Sequence, residues 1–192
     1  MNRTTSIALV ALFTSAAALS LFAQQSPTTR QASTGGKSPH ETTSAVIDRD
    51  RVTITYGRPF SKNPANGEMR KIWGGLVPYG KAWRMGSDEA TLLITQNPIV
   101  FGETTIPAGA YTLYLVPMED GTAKLAFSSK LGGWGIPVDE TKDVARIEGK
   151  KESTASQIDQ FTISVGKGES GGGVIKLMWE NTQFSFPFTV AK

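Results

Sequence analysis

Residues 110–128 read AYTLYLVPMEDGTAKLAFS, and this stretch decides the fold class. Its first half alternates in character, which places Tyr111, Leu113 and Leu115 on one side of an extended chain, the period of a half-buried strand. The Asp-Gly pair at 120–121 supplies a turn, because these residues readily take the positive φ angles of a two-residue hairpin. The residues after the turn return as a partner strand, so an antiparallel hairpin is predicted for the centre of the chain.

The same alternation recurs on both sides of this hairpin and predicts about ten short strands with no long helix. The last two strands are predicted as a hairpin with its turn at Asn181 and Thr182. Pro187 indicates an edge or a bulge in the final strand, because proline has no amide to donate. The predicted fold is all-β, an antiparallel β-sandwich of jelly-roll-like type with a long ordered loop around residues 58–90, and a closed barrel is the alternative.

The N-terminus has the pattern of an export signal. In residues 1–23 a single early cation, Arg3, precedes an apolar stretch that ends at the small residue Ala23, which is typical of a signal peptide. Residues 24–37 indicate a flexible linker and residues 38–192 a single domain. We expect a periplasmic or secreted protein with no transmembrane segment after signal cleavage; an uncleaved anchor is the alternative. The chain has no cysteine, so packing and not disulfides must stabilise it.

Residues 58–90, called the signature loop below, combine charge with aromatic rings. Positions 70–90 read RKIWGGLVPYGKAWRMGSDEA. Between Arg58 and Arg84 six cations accompany one acid, whereas thirteen acids and nine cations follow from Met85 onward. Two interpretations follow from this asymmetry. The cations pair with acids of the strands and hold the loop down, or they form an anion-binding surface, since arginine offers a planar two-pronged donor.

Several short motifs carry a family resemblance. They lie at 38–40, 56–59, 71–84, 88–91, 107–113 and 133–135. Together they resemble the bacterial family called domain of unknown function 2911 (DUF2911), over nearly all of the chain after residue 37. That family usually has Thr, Ala and Asn where this chain has Met85, Ser87 and Asp88. The resemblance implies no known reaction, and therefore it implies no catalytic residue.

Residues for metal and nucleophilic chemistry are scarce. His40 is the single histidine and cysteine is absent, which argues against a zinc site within one chain and against a Ser-His pair. The acids within 48–50 and 139–143 lack the EF-hand spacing and indicate turns more than calcium ligands. A net charge of +3 argues against nucleic-acid binding. We therefore predict no metal, no cofactor, no catalytic residue and no nucleic-acid partner.

The remaining candidates are the charged and aromatic side chains of the signature loop. Aromatic faces stack on apolar ligand faces while charges fix orientation, which suits recognition of a saccharide or an acidic ligand. The predicted ligand-binding residues are Arg58, Trp73, Tyr79, Trp83, Arg84, Asp88 and Glu89. This pattern favours a non-catalytic binding module at the cell envelope, with a saccharide or an anionic envelope molecule as its ligand.

Two other functions stay open at this point. A hydrolase of saccharides or other envelope substrates needs a concave pocket with at least two suitably separated carboxylates. Asp88 and Glu89 are adjacent and would point to opposite faces of a strand, so they form a poor pair. A structural or interaction module would bury Trp73 and Trp83 and expose an apolar patch or an edge strand. The sequence does not specify an oligomeric state.

Overall fold

The computed structural model describes residues 29–32, as backbone only, and residues 38–191. Its elements are β1 (Thr29–Ala32), β2 (His40–Ile47), β3 (Asp50–Gly57), β4 (Thr91–Thr95), β5 (Ile99–Phe101), β6 (Thr104–Ile106), β7 (Gly109–Pro117), β8 (Thr122–Ser128), a 3-10 helix (Glu140–Lys142), β9 (Asp143–Lys167) and β10 (Gly173–Val190). These residues include no α-helix, and the all-β prediction is confirmed.

The ten strands form one antiparallel sheet that folds over itself. Their order is β1-β2-β3-β4-β7-β8-β9-β10-β5-β6, and within the described residues the two end strands do not pair to close a barrel. β2 and β3 pack against β9, where the rings of Tyr56 and Phe161 meet edge-on at 5.7 Å. Phe101 of β5 likewise packs on Phe127 of β8 at 5.5 Å. The predicted antiparallel β-sandwich is thus confirmed as a sandwich-like fold with its core between the folded layers.

The core follows from the alternation read in the sequence. In β7 the side chains of Tyr111, Leu113 and Leu115 are buried, and β8 returns as its antiparallel partner. The six largest fully buried side chains of the described residues are aromatic, namely Trp179, Tyr56, Tyr114, Phe127, Phe161 and Phe186. Burial of a side chain such as Phe contributes about 1.5–3 kcal/mol. A core of this size is consistent with a fold that has no disulfides.

The last hairpin differs from its prediction. β10 is unbroken, so the predicted turn at Asn181 and Thr182 is wrong. The strand instead has irregular pairing on both sides of Glu180, whose φ is 53°. The turn between β9 and β10 lies at residues 168–172 and includes two glycines with positive φ. Asn-Thr lacks the glycine that a tight turn favours, and the 25-residue β9 provides a partner for β10 beyond that point.

β10 is also not an edge strand, because it lies between β9 and β5 in the sheet. Its pairing with β9 ends at Phe184, and its pairing with β5 involves Thr189 and Val190. Pro187 falls between these two paired stretches. The missing proline amide is therefore tolerated inside the sheet.

The predicted N-terminal segments fall largely outside the described residues. The predicted signal peptide, residues 1–23, lies wholly outside them, and so does the predicted linker apart from 29–32. Those four residues form β1 and pair with β2. In the part of the chain that is described, no helix has the length and apolar character needed to cross a bilayer.

Candidate functional site

The signature loop joins β3 to β4 and is fastened along β7. Trp83 exchanges two backbone hydrogen bonds of 2.8 Å with Leu115, and the amide of Gly80 donates to the carbonyl of Pro117 at 2.8 Å. β4 pairs with the same strand up to Leu113, so Trp83 continues that edge of β7. The loop is therefore ordered, as predicted, without being a regular strand.

Both tryptophans of the signature loop pack on the core while remaining half-buried. The ring of Trp83 stacks on Trp179 with centroids 5.8 Å apart and meets Phe161 edge-on at 4.8 Å. Trp73 contacts Trp83 at 6.1 Å and Phe184 at 5.5 Å. Each such pair contributes about 0.5–1.5 kcal/mol beyond the buried area. These indoles thus anchor the signature loop to the core.

Arg58 takes part in an internal ion pair. Its Nη1 lies 2.8 Å from Oε2 of Glu41, and the two side chains are 17% and 3% exposed. Its Nη2 donates to Oγ1 of Thr162 at 2.8 Å and its Nε to the carbonyl of Phe161 at 3.1 Å. The charge of Arg58 is consequently balanced within the fold, and its donors bind β2 and β9.

Tyr56 completes this arrangement. Its hydroxyl donates to Oε1 of Glu41 at 2.8 Å and accepts from the amide of Ile163 at 2.7 Å. Burial is the main cause that raises the pKa of Tyr56 well above its ordinary value, with the Glu41 carboxylate adding to it. We call Glu41, Tyr56, Arg58 and Thr162 the buried clamp, because they tie three strands together across the core.

Glu89 pairs with the single histidine. Its Oε2 lies 2.7 Å from Nε2 of His40, and the glutamate side chain is 65% exposed. A hydrogen bond from its own backbone amide, and then the one with His40, lower the pKa of Glu89. Both residues line an open cavity of about 380 Å³ beside Tyr56. Asp88 has a φ of 64°, a region that Asp and Asn tolerate better than most residues.

Tyr79 lies in a different place. It is 37% exposed and lines a cavity of about 150 Å³ together with Trp73, Asp120 and Lys151. Gly74 has a φ of 76°, and a Cβ added there would lie 2.7 Å from the ring of Tyr79, so the backbone angle and the ring both favour glycine. The cavity is smaller than the roughly 300 Å³ at which small-molecule sites usually begin.

Trp83 and Arg84 meet in a second cavity of about 380 Å³, which we call the arginine cleft. The cleft is lined by two cations and three aromatic rings, Arg70, Arg84, Phe60, Trp83 and Trp179. None of the described residues that line it is an aspartate or a glutamate. Its volume falls within the range of about 300–1,000 Å³ that is usual for small-molecule sites.

The two arginines of the cleft are held by carbonyl oxygens. Nη1 of Arg84 donates to the carbonyl of Trp134 at 3.1 Å, and its guanidinium carbon lies 5.2 Å from the centroid of that indole. Nη2 of Arg70 donates to the carbonyl of Phe60, and its Nε to that of Ser61 at 3.4 Å. These contacts orient both guanidinium groups without neutralising their charge.

The electrostatics of Arg84 differ from those of Arg58. Burial lowers the pKa of Arg84, and the nearby charges of Asp88 and Glu89 oppose that change. Within the described residues, no carboxylate lies at ion-pair distance from the guanidinium of either Arg84 or Arg70. The cleft is therefore a cationic site without an internal counter-ion in direct contact.

The seven predicted site residues are thus divided among several places. Arg58 belongs to the buried clamp, Glu89 pairs with His40, and Tyr79 lines the small cavity. Sequence reasoning missed four residues of the cleft and its rim, namely Phe60, Arg70, Trp134 and Trp179. Arg70 at the start of the quoted run and the indole within the glycine-rich segment 132–135 were visible signals. Nothing in the sequence indicated that Trp179 lines the cleft, because the alternating pattern of its strand indicates only a core position.

Two of the acids considered for calcium, Asp50 and Asp143, have protein partners. Asp50 is buried and accepts hydrogen bonds from the hydroxyl of Thr95 and the amide of Asn97, each at 2.8 Å. Asp143 pairs with Arg146 at 2.8 Å. Among the described residues, no group of three or more His, Cys, Asp or Glu side chains is placed to hold a metal ion.

A larger cavity, of about 580 Å³, lies at the turn between β9 and β10. Glu148, Glu152 and Glu169 line it together with three lysines. Two of these glutamates are four residues apart on β9, so their Cα atoms are about 13 Å apart at roughly 3.3 Å per residue. Paired carboxyl groups in glycoside hydrolases are about 5–9.5 Å apart. The two strand glutamates are therefore poorly spaced for the hydrolase alternative.

Comparison with known proteins places the chain in one family. Neither the curated proteins nor the solved structures include a significant match to it. Residues 38–188 match the family model described as "Protein of unknown function (DUF2911)". That range is most of the chain and contains every motif from which the resemblance was read. The protein is accordingly a member of the DUF2911 family.

Proposed function

We propose that this domain is a non-catalytic binding module of the cell envelope and that its ligand occupies the arginine cleft. One observation carries the proposal: Arg70 and Arg84 line a cavity that has aromatic walls and no acidic residue among its described lining. A guanidinium that is partly removed from water, with no carboxylate in contact, gains most from an anionic partner. The envelope location rests on the export signal predicted in the sequence.

Preorganisation supports the same proposal. Arg84 is restrained by the carbonyl and ring of Trp134, and Arg70 by two loop carbonyls, so little side-chain entropy remains to be lost on binding. The signature loop is itself fastened to β7 and to the core. A rigid cationic cleft of this kind suits recognition more than a reaction that needs acid and base groups.

The test uses the full chain and measures ligand-induced stabilisation in a thermal-unfolding assay across anionic metabolites, envelope glycans and neutral sugars. We expect at least one class to raise the Tm, and we expect Arg84→Gln and Arg70→Gln to abolish that shift. Arg51→Gln, a change at an exposed arginine of β3, is the matched control and should retain the shift. A shift that survives both cleft substitutions, or the absence of a shift with every class, would contradict the proposal.

A further inference from the structure

The lining of the arginine cleft restricts the chemistry of its ligand beyond a negative charge. Apart from the two arginines, the polar groups of its described lining side chains are the hydroxyls of Ser38 and Ser87 and the indole N–H groups of Trp83 and Trp179. The rest of the lining is aromatic, aliphatic, proline or glycine, with Leu76 and Ile136 as its exposed aliphatic members. Amide and carboxylate side chains, which commonly bind sugar hydroxyl groups, do not occur in it.

This composition disfavours a saccharide. A hydroxyl group that leaves water and finds no partner costs free energy, and a sugar carries several such groups. A flat apolar body has no such cost and gains by contact with the faces and edges of Phe60, Trp83 and Trp179. The cleft is therefore matched to a ligand that is polar at one end and apolar along the rest.

The charged end is set by the two guanidinium groups. Nε and Nη2 of Arg84 and Nη1 of Arg70 donate to no acceptor among the described residues. A carboxylate offers two oxygens in one plane, which matches the planar fork of a guanidinium. No acidic side chain belongs to the described lining, and the two carboxylates that act on Arg84, those of Asp88 and Glu89, lie outside it.

We propose that the arginine cleft binds a small aromatic carboxylate, whose carboxylate is recognised by Arg84 and Arg70 and whose ring lies on the aromatic wall. This proposal rests on the function proposed above and names the ligand class of the same site. The site would select ligands that combine one anionic end with one flat apolar body.

The test is calorimetric titration of the full chain with naphthalene-2-carboxylate as the probe. Three related molecules separate its features: 2-naphthalenemethanol keeps the ring without the charge, acetate keeps the charge without the ring, and glucuronate places the charge on a hydroxylated ring. We expect naphthalene-2-carboxylate to bind one per chain and each of the others to bind at least about tenfold more weakly. The alcohol lacks the charge-assisted contact, acetate lacks the ring contacts, and glucuronate must remove several hydroxyl groups from water. Quenching of tryptophan fluorescence should follow the same titration, because two indoles line the cleft.

Substitutions locate the binding. Arg84→Gln should weaken the naphthalene-2-carboxylate affinity by about tenfold or more, and Arg84→Lys should restore it only in part, because lysine keeps the charge without the fork. Arg51→Gln should leave the affinity unchanged. Circular dichroism and the Tm of each variant establish that it is folded, so that a loss of binding is not mistaken for unfolding.

The outcomes separate this inference from the proposed function. If glucuronate or a neutral sugar binds more tightly than naphthalene-2-carboxylate and Arg84→Gln removes that binding, the ligand class is wrong and the binding function stands. Naphthyl phosphate is titrated in the same way, and if it binds more tightly than the carboxylate, the assignment to carboxylates is wrong while the binding function stands. If no probe responds to substitution of Arg84 or Arg70, both proposals fail.

Discussion

Arg58 and Arg84 stand at opposite ends of the same loop, and they are used in opposite ways. Arg58 contacts a buried carboxylate, a threonine hydroxyl and a carbonyl, so its charge is balanced inside the fold. Arg84 contacts one carbonyl and one indole face, and no carboxylate of the described residues lies at ion-pair distance from it. The comparison teaches that an arginine in a loop rich in cations and aromatic residues indicates a binding site only when its own counter-ion in the fold is known.

The largest expected effect comes from breaking the buried clamp. Arg58→Ala leaves the carboxylate of Glu41 buried without its cation, and loss of one partner from such a pair costs about 3–5 kcal/mol. In a chain of this size each kcal/mol lowers the Tm by about 2–4 °C. Arg84→Ala, by contrast, should change the free energy of unfolding by less than about 1 kcal/mol. Chemical denaturation of both variants measures the difference.

A double substitution tests the cause of that effect. Glu41→Leu with Arg58→Leu removes both charges together and should be less destabilised than Arg58→Ala, because no buried charge is left unpaired. Equal unfolding free energies for Arg58→Ala and Arg84→Ala would contradict the conclusion that only Arg58 stabilises the fold through a buried ion pair.

Gly57 connects the two regions, and its substitution should affect both. A Cβ at this position would lie 2.1 Å from the carbonyl oxygen of Ser87, so the signature loop must shift to admit it. Overpacking of this kind costs about 1–3 kcal/mol. We expect Gly57→Ala to lower the Tm and to weaken binding at the arginine cleft, whereas Thr55→Ala on the same strand should do neither. Normal cleft binding by a folded Gly57→Ala variant would contradict this reasoning.

Trp134 should matter for the cleft and little for stability. Its ring is 54% exposed and contacts the guanidinium of Arg84, a contact that is worth about 0.5–1 kcal/mol at exposed sites. Trp134→Ala should therefore weaken probe binding by roughly two- to fivefold, with the Tm nearly unchanged. Leu131→Ala, at another exposed apolar residue of the same segment, is the control. A large fall in Tm for Trp134→Ala would show instead that the indole is structural.

The smallest effect concerns the exposed pair of Glu89 and His40. The pKa of Glu89 is lowered in the folded state, so its contribution is present above the unfolded-state pKa and is lost as the pH falls through the folded-state pKa. Because the carboxylate is mostly exposed, the contribution is at most about 1 kcal/mol. The unfolding free energies of the native protein and Glu89→Gln should differ slightly at neutral pH and converge in acid. A difference that grows as the pH falls would contradict the assignment.

Local sequence patterns predicted the strands well, but they predicted poorly how the two longest strands, β9 and β10, pair with each other. The hairpin at 110–128 could be predicted because alternation and an Asp-Gly turn lie within one short stretch. The turn proposed at Asn181 and Thr182 failed because β9 supplies pairing partners for β10 on both sides of that point. A local turn signal is weaker than continued pairing with a strand of that length.

The candidate site shows the same limit. The composition of the signature loop indicated a place where cations and indoles meet, and Trp83 and Arg84 do meet there. Sequence reasoning could not separate Arg58 from Arg84, because the partners of Arg58 lie outside the loop, Glu41 on β2 and Thr162 104 residues away along the chain. Trp179 lines the site because its ring stacks on that of Trp83 across the core, a contact between residues that are distant in the sequence.

By itself the sequence determined a disulfide-free β fold, its central hairpin and a loop dense in arginine and tryptophan, since these depend on residue types and on neighbours close along the chain. Only the tertiary structure decided which arginine is neutralised and which lines the cleft. The reason is physical: an ion pair depends on the distance between charges in space, and the partners of Arg58 lie on β2 and β9, outside the loop that carries it.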